Sequence, residues 1–275
     1  MITKAWTEPG DPNKPNEDWY GVTEDAAAAV VLDGGTARTG TGCIHGVAWY
    51  AHQLGSALIH KLPGQLPLPE ILAAAIHHVA DQHRHTCDLG HPGTPSAAVG
   101  IARRTSDSQW DCMVLGDITI IVQTRQGLVL LEDTRISYSA GEYRKIADQW
   151  PIGSAEKDAA LVDMKYQELA ERNKTYWISA ADPTAATHAF SQTTHGVQEL
   201  AILTDGAARA SAFGLADWPG ILDLLSHADP AQLIRVVRAN EASDPAGQRW
   251  PRNKQSDDAT AIYLTMLPSH RAAEK

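Results

Sequence analysis

Short apolar runs that end or begin at an aspartate constrain the fold of this chain more than any other feature. Asp33 ends the run AAAAVVLDGG, Asp117 lies in the turn VLGDIT, Asp205 ends AILTDG, and Asp257 precedes ATAIYLTM. Apolar runs of this length, bounded by Gly and Asp, predict buried β-strands. A carboxylate at a strand end is held by a rigid sheet while its head group stays open to solvent. The sequence therefore predicts a strand-rich core with acidic groups at the sheet edges.

Helical periodicity predicts that helices accompany these strands. Apolar residues recur at spacings of three and four over residues 39–62, which predicts a helix with one buried face. A second helix is predicted over residues 69–85, because a proline followed by a glutamate suits a first turn. Two more helices are predicted near 215–226 and 230–241.

The remaining runs predict further strands and one insertion. Three apolar runs between residues 96 and 131 predict an antiparallel meander, and TYWISA, HAFSQT and QELAILTDG predict later strands. An edge strand and a loop are expected in residues 1–25. Residues 139–173 are predicted to form a mixed, partly helical insertion. This order predicts an α+β fold, with sheets packed on each other and helices outside. We expect a single domain over residues 1–275, since neither a linker nor a repeat divides the chain.

Composition narrows the classes of partner and the compartment. The chain has 23 Lys and Arg against 33 Asp and Glu, a net charge of −10, which argues against binding to nucleic acid. Its three cysteines, Cys43, Cys87 and Cys112, lack C-x-x-C spacing, so neither a disulfide framework nor a thiolate zinc site is indicated. The longest apolar run, residues 26–32, is far shorter than the roughly 20 residues of a membrane span. We therefore expect a cytoplasmic protein that is not inserted in a membrane.

The acidic turns allow two interpretations. Asp-Gly is a common turn dipeptide, and a strand-rich protein collects several of them. Alternatively, the four carboxylates converge, in which case they would repel one another unless cations lay between them. Oxygen ligands with no thiolate cluster favour Mg²⁺ or Mn²⁺ over zinc.

Six segments, in order along the chain, resemble the PP2C-like metal-dependent serine/threonine phosphatases, in their compact bacterial branch. The segments are NED at 16–18, VVLDGG at 30–35, PSAAVGIAR at 95–103, VLGD at 114–117, ILTDG at 202–206 and SDDATAIYL at 256–264. The resemblance covers about residues 15 to 266. It implies a four-layer α-β-β-α sandwich, in which two antiparallel sheets are flanked by helices and two metal ions lie at one edge.

The resemblance also implies a role for each matching residue. Asp33 would bridge both ions, the Gly34 carbonyl would bind one of them, and Asp205 and Asp257 would complete the other. Asp117 would help to hold a third, weaker ion, and Glu17 and Asp18 would order metal-bound waters. The implied reaction is hydrolysis of phosphoserine and phosphothreonine in proteins by a metal-activated water. Asp258 stands where the family often has asparagine.

Two departures from the family pattern concern the phosphate. Family members commonly place an arginine on the strand before the acid pair, whereas the first arginine of this chain is Arg38. Lys4 or Lys14 could substitute as point charges, without the fork of a guanidinium, and Lys14 is our candidate for substrate binding. Gly35 stands where some members carry a histidine proposed as general acid.

Three functions remain open at the level of sequence. The first is a protein phosphatase that acts on phosphorylated proteins as a monomer, with a flap at about residues 137–175 that influences substrate choice. The second is a catalytically silent binding module, or pseudophosphatase, on the same scaffold. The third is a small-molecule phosphomonoesterase. Separately, His77, Asp81 and His85 are spaced to share one helix face, which fits either a transition-metal site or a solvated surface.

Overall fold

Ten β-strands form two antiparallel sheets within residues 1–266, the part of the chain that the computed structural model describes. In chain order the strands are β1 Ile2–Glu8, β2 Trp19–Val22, β3 Ala28–Gly34, β4 Ala97–Ser106, β5 Gln109–Leu115, β6 Thr119–Thr124, β7 Gly127–Glu132, β8 Phe190–His195, β9 Val197–Leu203 and β10 Ala259–Thr265. The first sheet has the order β1-β10-β9-β6-β7, and the second has the order β2-β3-β4-β5-β8.

Eight α-helices lie in the same described range. They are α1 Val47–Lys61, α2 Leu68–His83, α3 Arg135–Tyr138, α4 Gly141–Ala147, α5 Ala155–Glu171, α6 Asp205–Ala212, α7 Trp218–His227 and α8 Pro230–Ser243. Side-chain caps fix several starts: Ser154 before α5, Asp217 before α7 and Asp229 before α8 each accept a backbone N–H from the first turn. Pro183–His188 forms a short 3₁₀ helix before β8.

Alternation along the strands divides the core into layers. On β3, Val30 and Leu32 pack against α1 and α2, whereas Ala29 and Val31 face the core between the two sheets. On the far side of the first sheet, α6, α7 and α8 cover a third apolar cluster. The result is a helix–sheet–sheet–helix sandwich, which confirms the predicted α+β class.

Helix α1 begins at Val47, eight residues later than predicted. Residues 35–46 are a loop instead, and two of its glycines, Gly42 and Gly46, have φ of 66° and 81°, values that a right-handed helix excludes. Helix α2 lies where it was predicted but ends at His83. His85 therefore lies beyond the helix face on which the sequence pattern had placed it.

The predicted meander is wrong, because β5 and β6 belong to different sheets. β4 pairs with β5 in the second sheet, and β6 pairs with β7 in the first. Gly116, with φ of 83°, lies in the crossing between them, which also contains Asp117. Periodicity marks where strands are, but not which strands pair.

Two further differences concern the ends of strands. The segment TYWISA is not a strand: within it Ser179 makes one isolated bridge to Ala97, and Tyr176 makes one to Arg172. Asp205 opens helix α6, where a tight Asp-Gly turn had been expected, and an acidic side chain in a first helical turn is stabilising. Residues 1–25 contain two edge strands, β1 and β2, where one had been predicted. Within residues 1–266, the helices are too short or too polar to cross a membrane.

Candidate functional site

A cleft of about 580 Å³ opens where several strand ends meet, and Asp33, Asp117, Asp205 and Asp257 all line it. These four aspartates come from the end of β3, the β5–β6 crossing, the start of α6 and the segment before β10. The fold therefore brings together acidic residues that lie up to 224 positions apart in the printed sequence.

Asp33 lies close to four other carboxylates. Burial, together with the neighbouring carboxylates of Asp18, Asp205, Asp117 and Asp257, raises its pKa well above the ordinary value. Its Oδ2 atom is buried and has no hydrogen-bond partner among the described residues. A buried carboxylate oxygen without a donor is costly, so this atom is suited to an additional ligand.

Gly34, next to Asp33, must be glycine for steric reasons. A Cβ atom at this position would lie 2.6 Å from the Glu17 carbonyl oxygen and 2.5 Å from Val47 Cγ1. The close approach holds the segment that carries Glu17 against the end of β3. It also leaves the Gly34 backbone beside the acidic cluster.

Asp117 and Asp205 continue the cluster. Burial, with the charge of Asp205 second, raises the pKa of Asp117 to about 7. Burial and Asp257 raise the pKa of Asp205, and the positive charges of Arg209 and Lys254 oppose this rise. These raised pKa values indicate carboxylates that lie close enough to repel one another.

Asp257 differs from the others because basic side chains already neutralise it. Arg209 Nη2 donates to Asp257 Oδ2 over 3.0 Å, and the Lys254 ammonium contacts Asp257 Oδ1. The next residue, Asp258, accepts the backbone N–H groups of Gly10 at 2.7 Å and Glu17 at 2.6 Å. Asp258 therefore ties the segment before β2 to the segment before β10.

Glu17 and Asp18 lie behind the cleft lining. Thr204 Oγ1 and Thr260 Oγ1 donate to Asp18 Oδ2 over 2.9 and 2.8 Å, whereas its Oδ1 has no partner within residues 1–266. Burial is the main cause of the raised pKa of both residues. The pKa of Asp18 lies well above its ordinary value, and that of Glu17 is also raised. Thr36 Oγ1 donates to Glu17 Oε2 over 3.0 Å.

The chemistry of these donors fits a hard divalent cation such as Mg²⁺ or Mn²⁺. The groups are carboxylate oxygens, and buried oxygen atoms of Asp33 and Asp18 lack hydrogen-bond donors in the described part of the chain. In the side-chain positions of the structure, no group of three His, Cys, Asp or Glu residues within 1–266 is arranged to hold a metal ion. Both oxygens of Asp257 are engaged in ion pairs, one with Arg209 and one with Lys254.

Solved structures of phosphatases share this architecture over nearly the whole chain. The Mycobacterium tuberculosis serine/threonine phosphatase PstP/Ppp aligns over 96% of this chain and 98% of its own, with 13% identity and a TM-score of 0.56. The PPM Ser-Thr phosphatase MsPP from Mycobacterium smegmatis, solved with cacodylate, aligns over 97% and 99%, with 16% identity and a TM-score of 0.54. The chain has the PP2C fold.

Sequence comparison adds nothing to this likeness, since no protein-family model and no curated protein matches the chain. One PP2C-fold neighbour, the catalytic domain of PstP, was solved in complex with two manganese ions; it aligns over 95% of this chain with 13% identity and a TM-score of 0.53. At such identities the likeness establishes the PP2C fold, and the chemistry must be argued from the residues of this chain.

Basic residues that sequence reasoning passed over also line the cleft of this PP2C fold. Lys254 Nζ donates to Thr36 Oγ1 over 3.0 Å, in addition to its contact with Asp257. Further cationic groups in the lining are Arg38, Arg144, Lys165, Arg209 and Arg252. Lys254 lies three positions before Asp257, so its closeness to a candidate ligand could have signalled that it lies at the cleft.

The two lysines proposed from the sequence lie elsewhere. Lys14 does not belong to the described residues that line the cleft. Its exposed ammonium lies 3.7 Å from Asp11 Oδ2. Lys4 donates to the carbonyls of Leu225, Ser226 and Ala228 and so caps the end of α7. The basic side chains that line the cleft within the described residues come from other positions of the chain.

The helix face that carries His77 and Asp81 is exposed. His77 Nε2 lies 3.4 Å from Asp81 Oδ2, and Asp81 also pairs with Arg84. His85 follows the end of α2 and does not share the face. This arrangement is that of a solvated helix surface, the second of the two interpretations that the sequence left open.

Proposed function

We propose that this protein is a metal-dependent phosphatase that hydrolyses phosphoserine and phosphothreonine in other proteins. The observation that carries the proposal is the convergence of four aspartates from four separate segments at one cleft, with a buried oxygen of Asp33 lacking a donor among residues 1–266. The PP2C fold supports it, because solved neighbours with this fold are serine/threonine phosphatases.

In this proposal the acidic residues hold two ions, with a third more weakly. Asp33, the Gly34 carbonyl, Asp205 and Asp257 are the proposed ligands of the first two. Asp117 serves the third, and Glu17 and Asp18 act through ordered water. When bound, Mg²⁺ or Mn²⁺ supplies a water of lowered pKa and neutralises charge on the phosphoryl oxygens.

The basic residues of the cleft receive the phosphate. The Lys254 ammonium and the Arg38 guanidinium offer positive charge beside the acidic cluster, and both line the same cleft. Thr36 connects Lys254 to Glu17 by hydrogen bonds, which orients the lysine relative to Asp257. We assign phosphate binding to Lys254 and Arg38, because phosphoryl transfer depends mainly on positioning and electrostatic stabilisation.

A protein substrate is favoured over a small phosphomonoester by the surface beside the cleft. Arg144 on α4 and Lys165 on α5 line the cleft, and the same stretch of the chain carries the exposed side chains of Tyr138, Trp150 and Tyr166, which are 78%, 42% and 60% exposed. Aromatic side chains left exposed next to a charged cleft suit a polypeptide partner. We propose that this region, about residues 137–175, is the flap that contacts the substrate.

Phosphate release in the presence of Mn²⁺ or EDTA tests the proposal. We expect Mn²⁺-dependent hydrolysis of phosphoserine and phosphothreonine peptides, and a loss of at least about 100-fold in Asp205→Asn. Asp107→Asn is the matched control, because Asp107 is exposed in the turn between β4 and β5, at the opposite end of β4 from the cleft. Circular dichroism of each variant verifies folding.

The outcomes separate the three candidate functions. Hydrolysis of p-nitrophenyl phosphate without activity on phosphopeptides would indicate a small-molecule phosphomonoesterase. Binding of phosphopeptides without turnover of either substrate would indicate a pseudophosphatase. Activity that persists in EDTA or in Asp205→Asn would contradict the metal-dependent mechanism.

A further inference from the structure

Cys43 and Cys87 meet although they are 44 positions apart in the sequence. Their Sγ atoms are 2.8 Å apart, and both residues are partly exposed. Cys43 lies in the loop of residues 35–46, between β3 and α1, and Cys87 follows the end of α2. A disulfide has an S–S distance of about 2.05 Å, so a shift of less than an ångström would join the two sulfurs.

The backbone, and not only the side chains, holds these two segments together. Asp88 N–H donates to the Gly42 carbonyl over 2.8 Å. A Cβ atom at Gly42 would lie 2.6 Å from His91 Cβ, and one at Gly93 would lie 2.3 Å from the Gly40 carbonyl oxygen. The closeness of the cysteines is therefore built into the packing of two loops.

The two thiols are chemically unequal. Partial burial acts to raise the pKa of Cys87, but interactions with Cys43, Thr86 and the backbone N–H groups of Ile44 and His45 outweigh it and lower the pKa. Burial, and then the contact with Cys87, raise the pKa of Cys43. Cys87 is thus the better nucleophile of the pair, and Cys43 is placed to react with it second.

The third cysteine provides an internal comparison. Cys112 is buried within the core between the sheets, with 1% of its surface exposed. Burial raises the pKa of its thiol to about 12. A buried thiol of high pKa is unreactive, so oxidant should distinguish it from the other two.

We propose that Cys43 and Cys87 form a redox-reactive dithiol that hydroperoxides convert to an intramolecular disulfide. The Cys87 thiolate attacks the terminal oxygen of the hydroperoxide; an S–O bond forms, the O–O bond breaks, and the alcohol or water leaves after taking up a proton. Cys43 then attacks the Cys87 sulfur, the S–S bond forms and the S–O bond breaks. The departing hydroxide takes the Cys43 proton and leaves as water, so two thiols are oxidised as one peroxide is reduced.

The disulfide would constrain a loop that also reaches the cleft. Thr36 and Arg38, which line the cleft, belong to the same segment, 35–46, as Cys43. Oxidation would tie this segment covalently to the end of α2. The thiol chemistry itself does not depend on the proposed phosphatase activity and can be measured without it.

Peptide mapping after oxidation tests the proposal. Trypsin places the three cysteines in separate peptides, residues 39–61, 85–103 and 105–125. The full chain is treated with one equivalent of hydrogen peroxide, denatured, alkylated with iodoacetamide and digested. We expect peptides 39–61 and 85–103 to be linked, with a mass lower by two hydrogens than the two thiol peptides together, and Cys112 to be alkylated. Dithiothreitol should restore both thiols.

Two variants complete the experiment. In Cys43→Ser we expect Cys87 to be trapped by dimedone as a sulfenic acid, and in Cys112→Ser we expect the disulfide to form as in the wild type. Full alkylation of both Cys43 and Cys87 after peroxide would overturn the proposal. A disulfide through Cys112, or one between two chains, would overturn it as well. The wild-type map decides the matter even if Cys43→Ser fails to fold.

Discussion

At the scale of single residues, Lys254 says most about how the cleft balances its charge. Its ammonium contacts Asp257, and the neighbouring carboxylates of Asp205 and Asp33 help to raise its pKa against the opposing effect of burial. Lys254 therefore acts as an internal cation within an acidic cluster. A metal ion that binds at Asp257 must compete with this ammonium, because both neutralise the same carboxylate.

Replacing Lys254 should strengthen metal binding and weaken catalysis. In Lys254→Met we expect Mn²⁺ to bind roughly fivefold more tightly, which corresponds to the loss of about 1 kcal/mol of competing ion pair. We also expect a lower kcat/KM on phosphopeptides, because a proposed phosphate contact is lost. Isothermal titration with Mn²⁺ measures the first effect. The control is Lys174→Met, because Lys174 is exposed and does not belong to the described residues that line the cleft. Unchanged or weaker Mn²⁺ binding in Lys254→Met would contradict the competition.

The raised pKa of Asp117 predicts an unusual dependence of stability on pH in metal-free protein. Its pKa is about 7 in the folded chain against an ordinary value of 3.8, so the folded state binds the proton more tightly. The resulting stabilisation is fully present below about pH 4 and is lost as the pH rises through about 7. Asp117→Asn, which stays uncharged, should therefore gain stability over the wild type at pH 8 but not at pH 4.

Urea unfolding in EDTA measures this difference. We expect Asp117→Asn to exceed the wild type by on the order of 1 kcal/mol at pH 8, with the gap closing towards pH 4. The exposed Asp107→Asn serves again as the matched control. A gap that is equal at both pH values, or larger at pH 4, would show that Asp117 is not held in a repulsive cluster.

The sequence marked the acidic part of the site clearly, whereas for the basic part its only signal was that Lys254 lies three positions before Asp257. Asp33, Asp117, Asp205 and Asp257 each stand beside an apolar run, so the pattern that marks strands also marks their ends. Lys254 instead belongs to a polar segment, and its contact with Thr36 joins residues 218 positions apart. Only the folded chain brings such a pair together.

At the scale of elements, the region beside the cleft forms a small core of its own. Helices α4 and α5 pack through Ala140, Ala147, Ala160, Leu161 and Met164, a cluster separate from the three cores of the sandwich. Few apolar side chains stabilise this pair, so its local opening should cost less free energy than global unfolding. Such a region is suited to adjust to a bound partner.

Hydrogen exchange tests the independence of this region. We expect the amides of α4 and α5 to exchange at least about tenfold faster than those of β9 and β10, which lie inside the first sheet. Mass spectrometry of peptides from native protein measures both sets in one experiment. Equal protection of the helices and the strands would show that the region unfolds only with the whole molecule.

The errors made at this scale have local causes. Ile44 continues the apolar spacing of α1 towards the N-terminus, but Gly42 and Gly46, with positive φ, exclude a helix there. The hairpin-like run from β4 to β7 conceals a change of sheet at Gly116, a glycine whose Cβ would lie 2.7 Å from Ala98 Cβ. Backbone conformation and close packing of this kind follow from tertiary contacts, which periodicity does not contain.

At the scale of the whole molecule, two antiparallel sheets place strand ends from distant parts of the chain at one edge. β3 belongs to the second sheet, whereas β9 and β10 belong to the first, yet Asp33, Asp205 and Asp257 line one cleft. The order of elements predicted the α+β class, and the resemblance to the PP2C-like phosphatases implied the sandwich. The convergence of carboxylates is therefore a product of the overall fold.

Anomalous diffraction from crystals soaked in Mn²⁺ examines this convergence most directly. Wild-type crystals should show two strong anomalous peaks, about 3.5–4 Å apart, bounded by the carboxylates of Asp33, Asp205 and Asp257. In Asp205→Asn at least one of the peaks should weaken or disappear. The absence of both peaks from this cleft at saturating Mn²⁺, or manganese bound only at carboxylates elsewhere on the surface, would contradict the proposed metal centre.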